Sequence, residues 1–276
     1  MSAPWVEKPG RSRYRPTATI HGSIGLHCVA ALGAAMHPEL WPWAAGGIAG
    51  NHALLTAIGL WPRSALLGPN LRRLPEASAN RGEIAITFDD GPDPRTTPRV
   101  LDLLDAHGAR ASFFCIAERA RRHPATCREI VRRGHAIENH SRRHSPAFAF
   151  SGIGGFRREI ASAQALLAEL GGREPIFFRA PAGIRNPLLE PVLHELGLRL
   201  ASWTRRGYDT RNRDAGDVSA RLTKGLAAGD ILLLHDGGSA QARSGEPVVL
   251  EALATVLAAA GAQNLRAVTL HHAVDS

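Results

Sequence analysis

Three apolar runs in the later part of the chain each stop at an ionisable residue and then at a glycine or proline turn. Glu83-Ile84-Ala85-Ile86-Thr87-Phe88 leads into Asp89-Asp90-Gly91-Pro92, and Phe177-Phe178 into Arg179-Ala180-Pro181-Ala182-Gly183. Ile231-Leu232-Leu233-Leu234 leads into His235-Asp236-Gly237-Gly238. Short continuous apolar runs bounded by turn residues read as buried strands. A charged or titratable group at the carboxyl end of such a strand is where α/β barrels and open sheets assemble their chemistry. One such strand end would be unremarkable; three argue for a site.

The pattern around these runs sets the fold class. Strands are expected near 83–88, 111–116, 135–138, 175–179, 198–203, 230–235 and 266–270. Helical stretches lie between them, at 97–107 closed by Gly108, at 155–170 closed by Gly171-Gly172, and at 246–260, a run of Ala, Leu and Val. Strict alternation of the two predicts an α/β domain over residues 81–276, with parallel strands and helices outside. That span is enough for one sizeable core. There is no internal repeat and no sign of a second catalytic domain.

Adjacent carboxylates at a strand's end point in different directions, so Asp89 and Asp90 can take different roles, one binding a metal and the other left free as a base. Like charges so close need a cation or a shared proton. Alone, Asp-Asp-Gly-Pro is more often an ordinary turn. In Asn139-His140-Ser141-Arg142-Arg143-His144, two imidazoles four residues apart face the same way if the segment makes a helical turn. The bland alternative is two surface histidines in a chain with 13. Two His and one carboxylate, however, form a hydrolytic metal set that leaves positions for water.

In the order Thr87-Phe88-Asp89-Asp90-Gly91-Pro92, His140-Ser141-x-x-His144, Arg179-x-Pro181-x-Gly183 and Leu232-Leu233-Leu234-His235-Asp236, residues 81–270 resemble the polysaccharide deacetylase family, carbohydrate esterases with a NodB-type domain. The resemblance implies a distorted, incomplete (β/α) barrel and a metal-dependent hydrolase that removes an acetyl or formyl group from an amino sugar. It implies that Asp90, His140 and His144 hold a divalent ion, Zn²⁺ first, with Co²⁺, Ni²⁺ or Mn²⁺ as alternatives. Asp89 would be the general base with Arg179 as its partner, and His235 the general acid. The Ala182 N–H would serve the oxyanion, and Leu233 the acyl pocket. Two departures stand out: Ala182 replaces the family's usual Tyr, and Arg206 occupies the position of the Asp that orients the catalytic histidine. Asp209 or Asp214 is then the candidate partner of His235. An O-acyl esterase, or an inactive membrane-tethered carbohydrate-binding homologue, are the alternatives.

Residues 1–80 are different material. Segments 20–36 and 41–61 contain no Lys, Arg, Asp or Glu, and His37-Pro38-Glu39-Leu40 joins them. A bilayer core needs about 20 helical residues, so the second segment is long enough and the first marginal. Trp41, Trp43 and Trp61 suit interfaces. His21, His27, Asn51 and His52 count against spanning, and a pair of helices capping the barrel is the alternative. Lys8, Arg11, Arg13 and Arg15 precede the first segment, while Arg63, Arg72 and Arg73 follow the second. The positive-inside rule therefore predicts a bacterial inner-membrane hairpin with a cytoplasmic catalytic domain, and a lipid-linked substrate becomes plausible. Three cysteines without metal or redox spacing agree with a reducing compartment. The net charge of +8 is scattered among few aromatics, so no nucleic-acid partner is expected.

Overall fold

The protein is described here by a computed structural model covering residues 14–275. Its strands are β1 (Glu83–Asp89), β2 (Ala111–Cys115), β3 (Ala136–Asn139), β4 (Phe177–Phe178), β5 (Arg199–Leu200), β6 (Arg205–Arg206), β7 (Ile231–His235) and β8 (Arg266–Val268). All pair in parallel, in the order β5-β4-β3-β2-β1-β7-β6. β8 runs beside Glu83–Ala85 of β1, where the pairing with β2 has not yet begun. Helices between the strands cover the outer face, so the expected α/β half-barrel is present.

Alternation along the strands separates two apolar layers. Ile84, Ile86, Phe88, Leu232 and Leu234 face the helices, among them Thr96–Ala106 and Val248–Ala262, whose Val100, Leu101, Leu104, Leu253 and Val256 are fully buried. Ala85, Phe114, Phe177, Trp203, Ile231 and Leu233 fill the barrel interior. β1, buried at all seven positions, lies inside the sheet between β2 and β7. Its Asp89 therefore emerges on the carboxyl rim between the ends of β2 and β7.

The strand expected at 198–203 is only the two residues of β5, and β6 follows beyond it, because the chain crosses there from one edge of the sheet to the other. The open seam between β5 and β6 is covered from upstream. Leu71 donates to Leu200 O (2.9 Å) and accepts from Ser202 N (2.9 Å), Leu74 donates to Gly229 O (2.8 Å), and both leucines are buried in the interior layer. Residues around 71–74, grouped by composition with the N-terminal segment, thus pack with the barrel.

What stands apart is a helical hairpin, α1 (Ala18–Met36) and α2 (Trp41–Gly59), joined by the turn Pro38–Leu40. Helix α1 buries no residue, and α2 buries only Leu55 and Gly59. The base is fastened to the barrel, since Thr17 Oγ1 donates to Leu66 O (2.7 Å) and Arg185 N to Gly59 O (3.1 Å). The polar residues counted against spanning largely meet each other. Asn51 Nδ2 donates to Ser23 Oγ (2.8 Å), and the His27 and His52 Nε2 atoms lie 3.4 Å apart. Among the described residues, Ala18–Met36 is the one helix long and apolar enough to cross a membrane. This reverses the order expected from segment length, because α2 carries Pro42, Asn51 and His52 among its apolar residues. Lys8, Arg11 and Arg13 lie outside the described residues.

Candidate active site

Asp89 and Asp90 diverge at the end of β1. Asp89 points into the barrel, where Arg179 Nη1 lies 2.6 Å from its Oδ1. Arg179 leaves β4 and is itself only 1% exposed. It also donates to Thr87 Oγ1 (2.9 Å), Ala201 O (3.2 Å) and Ser202 O (3.0 Å), and its guanidinium sits 3.9 Å from the Phe114 ring centre. With its fork so occupied, the guanidinium has one position, and it fixes one oxygen of Asp89.

Asp90 takes a positive φ of 68° and turns toward the two histidines. Its Oδ1 lies 3.3 Å from His140 Nε2 and 3.2 Å from His144 Nε2. Burial opposes ionisation of Asp90, but the neighbouring imidazoles of His140, His144 and His235 hold its carboxyl well below the usual range. His140 Nδ1 faces Arg179 O at 2.8 Å, which orients the ring and leaves Nε2 toward Asp90. The expected helical turn does not bring the histidines together. They sit on an irregular loop after β3 in which Ser141 (φ 65°) and His144 (φ 56°) are left-handed. Asn139 holds that loop: its Nδ2 donates to Ile160 O (3.1 Å) and Gln164 Oε1 (3.0 Å), while its Oδ1 accepts from Ser141 N (2.9 Å). Ser141 Oγ in turn accepts from His144 N (3.0 Å).

The set fits a divalent cation. One ligand atom from each of Asp90, His140 and His144 lies within 4.8 Å of the others, and Asp90 Oδ1 is buried without a hydrogen bond. Two imidazole nitrogens and a carboxylate are the donors expected of an open hydrolytic metal site.

On the other side of β1, His235 ends β7 in register with Asp89. Its partner is Asp209. Asp209 Oδ1 lies 2.9 Å from His235 Nδ1, and Oδ2 accepts from the His235 backbone N–H at 2.7 Å. Although burial disfavours the imidazolium, this hydrogen bond pushes the His235 pKa up. Asp214 is otherwise engaged, capping the helix Ala215–Thr223 by accepting from Asp217 N (2.9 Å). Arg206, where a carboxylate was expected, lies over the rings of Trp203 (5.3 Å) and Tyr208 (5.0 Å).

Two groups the sequence reading passed over lock the strand ends together. Thr97 Oγ1 donates to Asp236 Oδ2 (2.5 Å), and burial pushes the Asp236 carboxyl up to about 7. A Cβ at Gly91 would stand 2.2 Å from that same Oδ2, and one at Gly237 would stand 2.2 Å from Asp90 O. The glycines of the two motifs therefore permit one turn to nest in the other. Ala182 (φ 55°) turns within Pro181–Gly183 and lines a cleft together with His144. Leu233 is 1% exposed and packs in the interior layer on the same face of β7 as His235, so it forms a floor and not an open wall. Asp90, Ser141, His144, Ala182 and Tyr208 are five of the six positive-φ residues other than glycine among those described. Such concentration of backbone strain is characteristic of functional loops.

Known proteins resemble this chain in sequence and fold. The polysaccharide deacetylase family model matches residues 76–201. A peptidoglycan-N-acetylglucosamine deacetylase of Bacillus cereus is 36% identical over 197 residues, which is 71% of this chain and 89% of that protein. A chitooligosaccharide deacetylase of Azorhizobium caulinodans is 37% identical over 162 residues, 57% of this chain and 75% of that protein. The structure of a family 4 acetyl xylan esterase from Clostridium thermocellum, solved with a cobalt ion, superposes with a TM-score of 0.62 at 30% identity. It covers 70% of this chain and 90% of that one. With 36% identity spanning 89% of the Bacillus cereus relative, and the same barrel beneath it, this chain belongs to the polysaccharide deacetylase family.

Proposed function

We propose that the protein is a metal-dependent hydrolase that removes the N-acetyl group of an amino sugar carried on a lipid at a membrane surface. The observation that carries the hydrolase reading is the pairing of Asp89 with Arg179 and of His235 with Asp209 on either side of the Asp90, His140 and His144 cluster. A divalent ion held there, Zn²⁺ or alternatively Co²⁺, Ni²⁺ or Mn²⁺, would polarise the acyl carbonyl and acidify a water. Asp89, with Oδ1 fixed by Arg179, keeps Oδ2 to take the water's proton. His235, with Nδ1 turned to Asp209, presents Nε2 to protonate the leaving amine. The Ala182 N–H supports the developing oxyanion, and the Leu233 floor lies below the acyl group. The products are a free amine and acetate, or formate from an N-formyl sugar.

The hairpin supports a membrane setting. Helix α1 runs for 19 residues without a Lys, Arg, Asp or Glu, about 28 Å of helix, close to the hydrocarbon thickness. Arg15, Arg63 and Arg72 lie near the hairpin's base, and by the positive-inside rule that charge supports a cytoplasmic barrel. Likeness to an acetyl xylan esterase favours O-deacetylation as the second reading.

The test uses the full chain loaded with Zn²⁺, with acetate release measured from N-acetylchitooligosaccharides and from acetylated xylan. The Asp89→Asn variant keeps its metal and loses roughly 10²–10⁴-fold in turnover, as loss of a general base typically does. The His140→Ala/His144→Ala double variant loses both metal and activity. Stoichiometric metal in that double variant would refute the site. Release from xylan alone would favour the esterase.

A further inference from the structure

The site sits where two unlike cavities meet. On one side Asp90 and His144 border a cavity of 380 Å³ with Glu118, Arg119, Arg122 and Arg143. On the other, His144 and Ala182 border a groove of 720 Å³ walled by His52, Leu55 and Thr56 of α2 and by Leu60 just past its end, with Pro146, Phe148, Phe150, Ile184 and Leu188 opposite. The α2 residues recur at helical spacing, so one face of that helix forms a continuous wall. Gly59 lets this end of α2 seat closely on the barrel, since a Cβ there would stand 2.1 Å from Arg185 O. Phe150 at the rim is 89% exposed, and Leu60 and Leu188 are also exposed. This apolar edge continues into the uncovered surface of the hairpin.

A polysaccharide threaded through the site would meet polar and stacking groups on both sides of the scissile amide. Here one side is charged, with three arginines beside Glu118, and the other is mainly aliphatic and aromatic, and both end at the same histidine. That division matches a substrate with a polar head and a hydrocarbon tail. We infer that the groove between α2 and the loops 145–150 and 181–188 binds the hydrocarbon chain of a lipid-linked amino sugar while its sugar lies at Asp90, His140 and His144. This inference rests on the amino-sugar hydrolase reading above and adds where the chain lies. The groove opens at the base of the hairpin, where a lipid of the adjoining leaflet could slide its tail along α2 without leaving the apolar surface.

Alkyl N-acetylglucosaminides of increasing length (methyl, octyl, dodecyl) test this with the full chain in lipid nanodiscs. Each methylene that becomes buried is worth roughly fourfold in binding, so even two of the added methylenes seated in the groove should raise kcat/KM of dodecyl over methyl by about tenfold or more. Thr56→Trp fills the groove and Phe150→Glu charges its rim; each should bring the dodecyl-to-methyl ratio down severalfold. Partition into the bilayer is the same for every variant, so it cannot mimic this loss. A dodecyl glycoside with a terminal diazirine reads the groove without turnover, and photolabelling should fall on residues 52–60 and 145–150. Ratios in both variants equal to the wild type, or label confined to the hairpin tip, would overturn the groove assignment. Labelling of the groove without cleavage of any glycoside would retain the groove and refute the hydrolase reading.

Discussion

Replacing Asp209 by Asn is the sharpest test of how the acid side of the site is built. The wild-type carboxylate accepts twice, from the His235 backbone N–H at 2.7 Å and from Nδ1–H at 2.9 Å, and is wholly buried. An Asn side chain offers one acceptor and one donor and cannot reproduce both contacts. If its oxygen stays on the backbone N–H, its NH₂ faces Nδ1 and moves the histidine's proton to Nε2 as part of a neutral ring, a weak acid. If the amide flips, two donors confront each other inside the barrel. A hydrogen bond involving a charged group contributes about 1.5–3 kcal/mol, or roughly 10- to 150-fold in the population of the correctly oriented imidazolium. We therefore expect kcat/KM to fall about 100-fold. The direction of the pH effect is also fixed. Asp209 raises the His235 pKa, so its removal lowers it, and the alkaline limb of the rate profile should move to lower pH. Metal content, measured in parallel, should not change. Activity within twofold of the wild type and an unmoved alkaline limb would show that Asp209 does not orient a general acid. Loss of metal would show that the variant disturbs Asp90 instead.

Two further outcomes follow from packing and burial. Gly91→Ala puts a Cβ 2.2 Å from Asp236 Oδ2, which is buried and tied to Thr97, so unfolding should show a loss of about 1–3 kcal/mol together with weakened metal binding. Gly261→Ala, with nothing within 4 Å in the last turn of its helix, should instead be neutral or stabilising, and the same loss in both variants would refute the interlock. Glu190, buried 3.7 Å from Arg185, has its carboxyl pushed up by burial to about 7. Its folded pKa lies above the ordinary value, so the stabilising contribution is complete below about pH 4.5 and is lost as pH rises through 7. On an order-of-magnitude basis this amounts to about 3 kcal/mol between pH 5 and 8. Glu190→Gln should flatten the corresponding part of a denaturation-versus-pH curve, and an unaltered slope would show that the group is ionised throughout.

The barrel was legible because its strands are continuous apolar runs closed by turn residues, a pattern with few competing readings. Asp89, Asp90, Arg179 and His235 were legible for the same reason, since a residue at the end of such a strand has only one rim on which to emerge. The histidine loop was harder. Spacing suggested a helical turn, but the geometry comes from left-handed Ser141 and His144 held by Asn139, and backbone conformations of that kind have no period to detect. The contacts within the hairpin were also hidden from hydropathy. It counts Asn51, His27 and His52 singly as polar residues, and their contacts across the two helices are invisible in a one-dimensional average.

Arg206 and Asp209 carry the argument furthest, because there counting along the chain pointed to the wrong kind of side chain. Motif spacing presumes that equal numbers of residues lead to equal places. In this barrel β6 is two residues long, and the chain leaves it through Gly207, where a Cβ would stand 2.8 Å from Val218, and through Tyr208 at φ 61°. That tight exit brings Asp209 back over the end of β7, while Arg206, still on the strand, is turned toward Trp203 and Tyr208. A carboxylate at the far side of a turn can thus serve the same imidazole as one on the strand, provided it reaches Nδ1 and is shielded from water. Position in sequence is only a proxy for those two conditions.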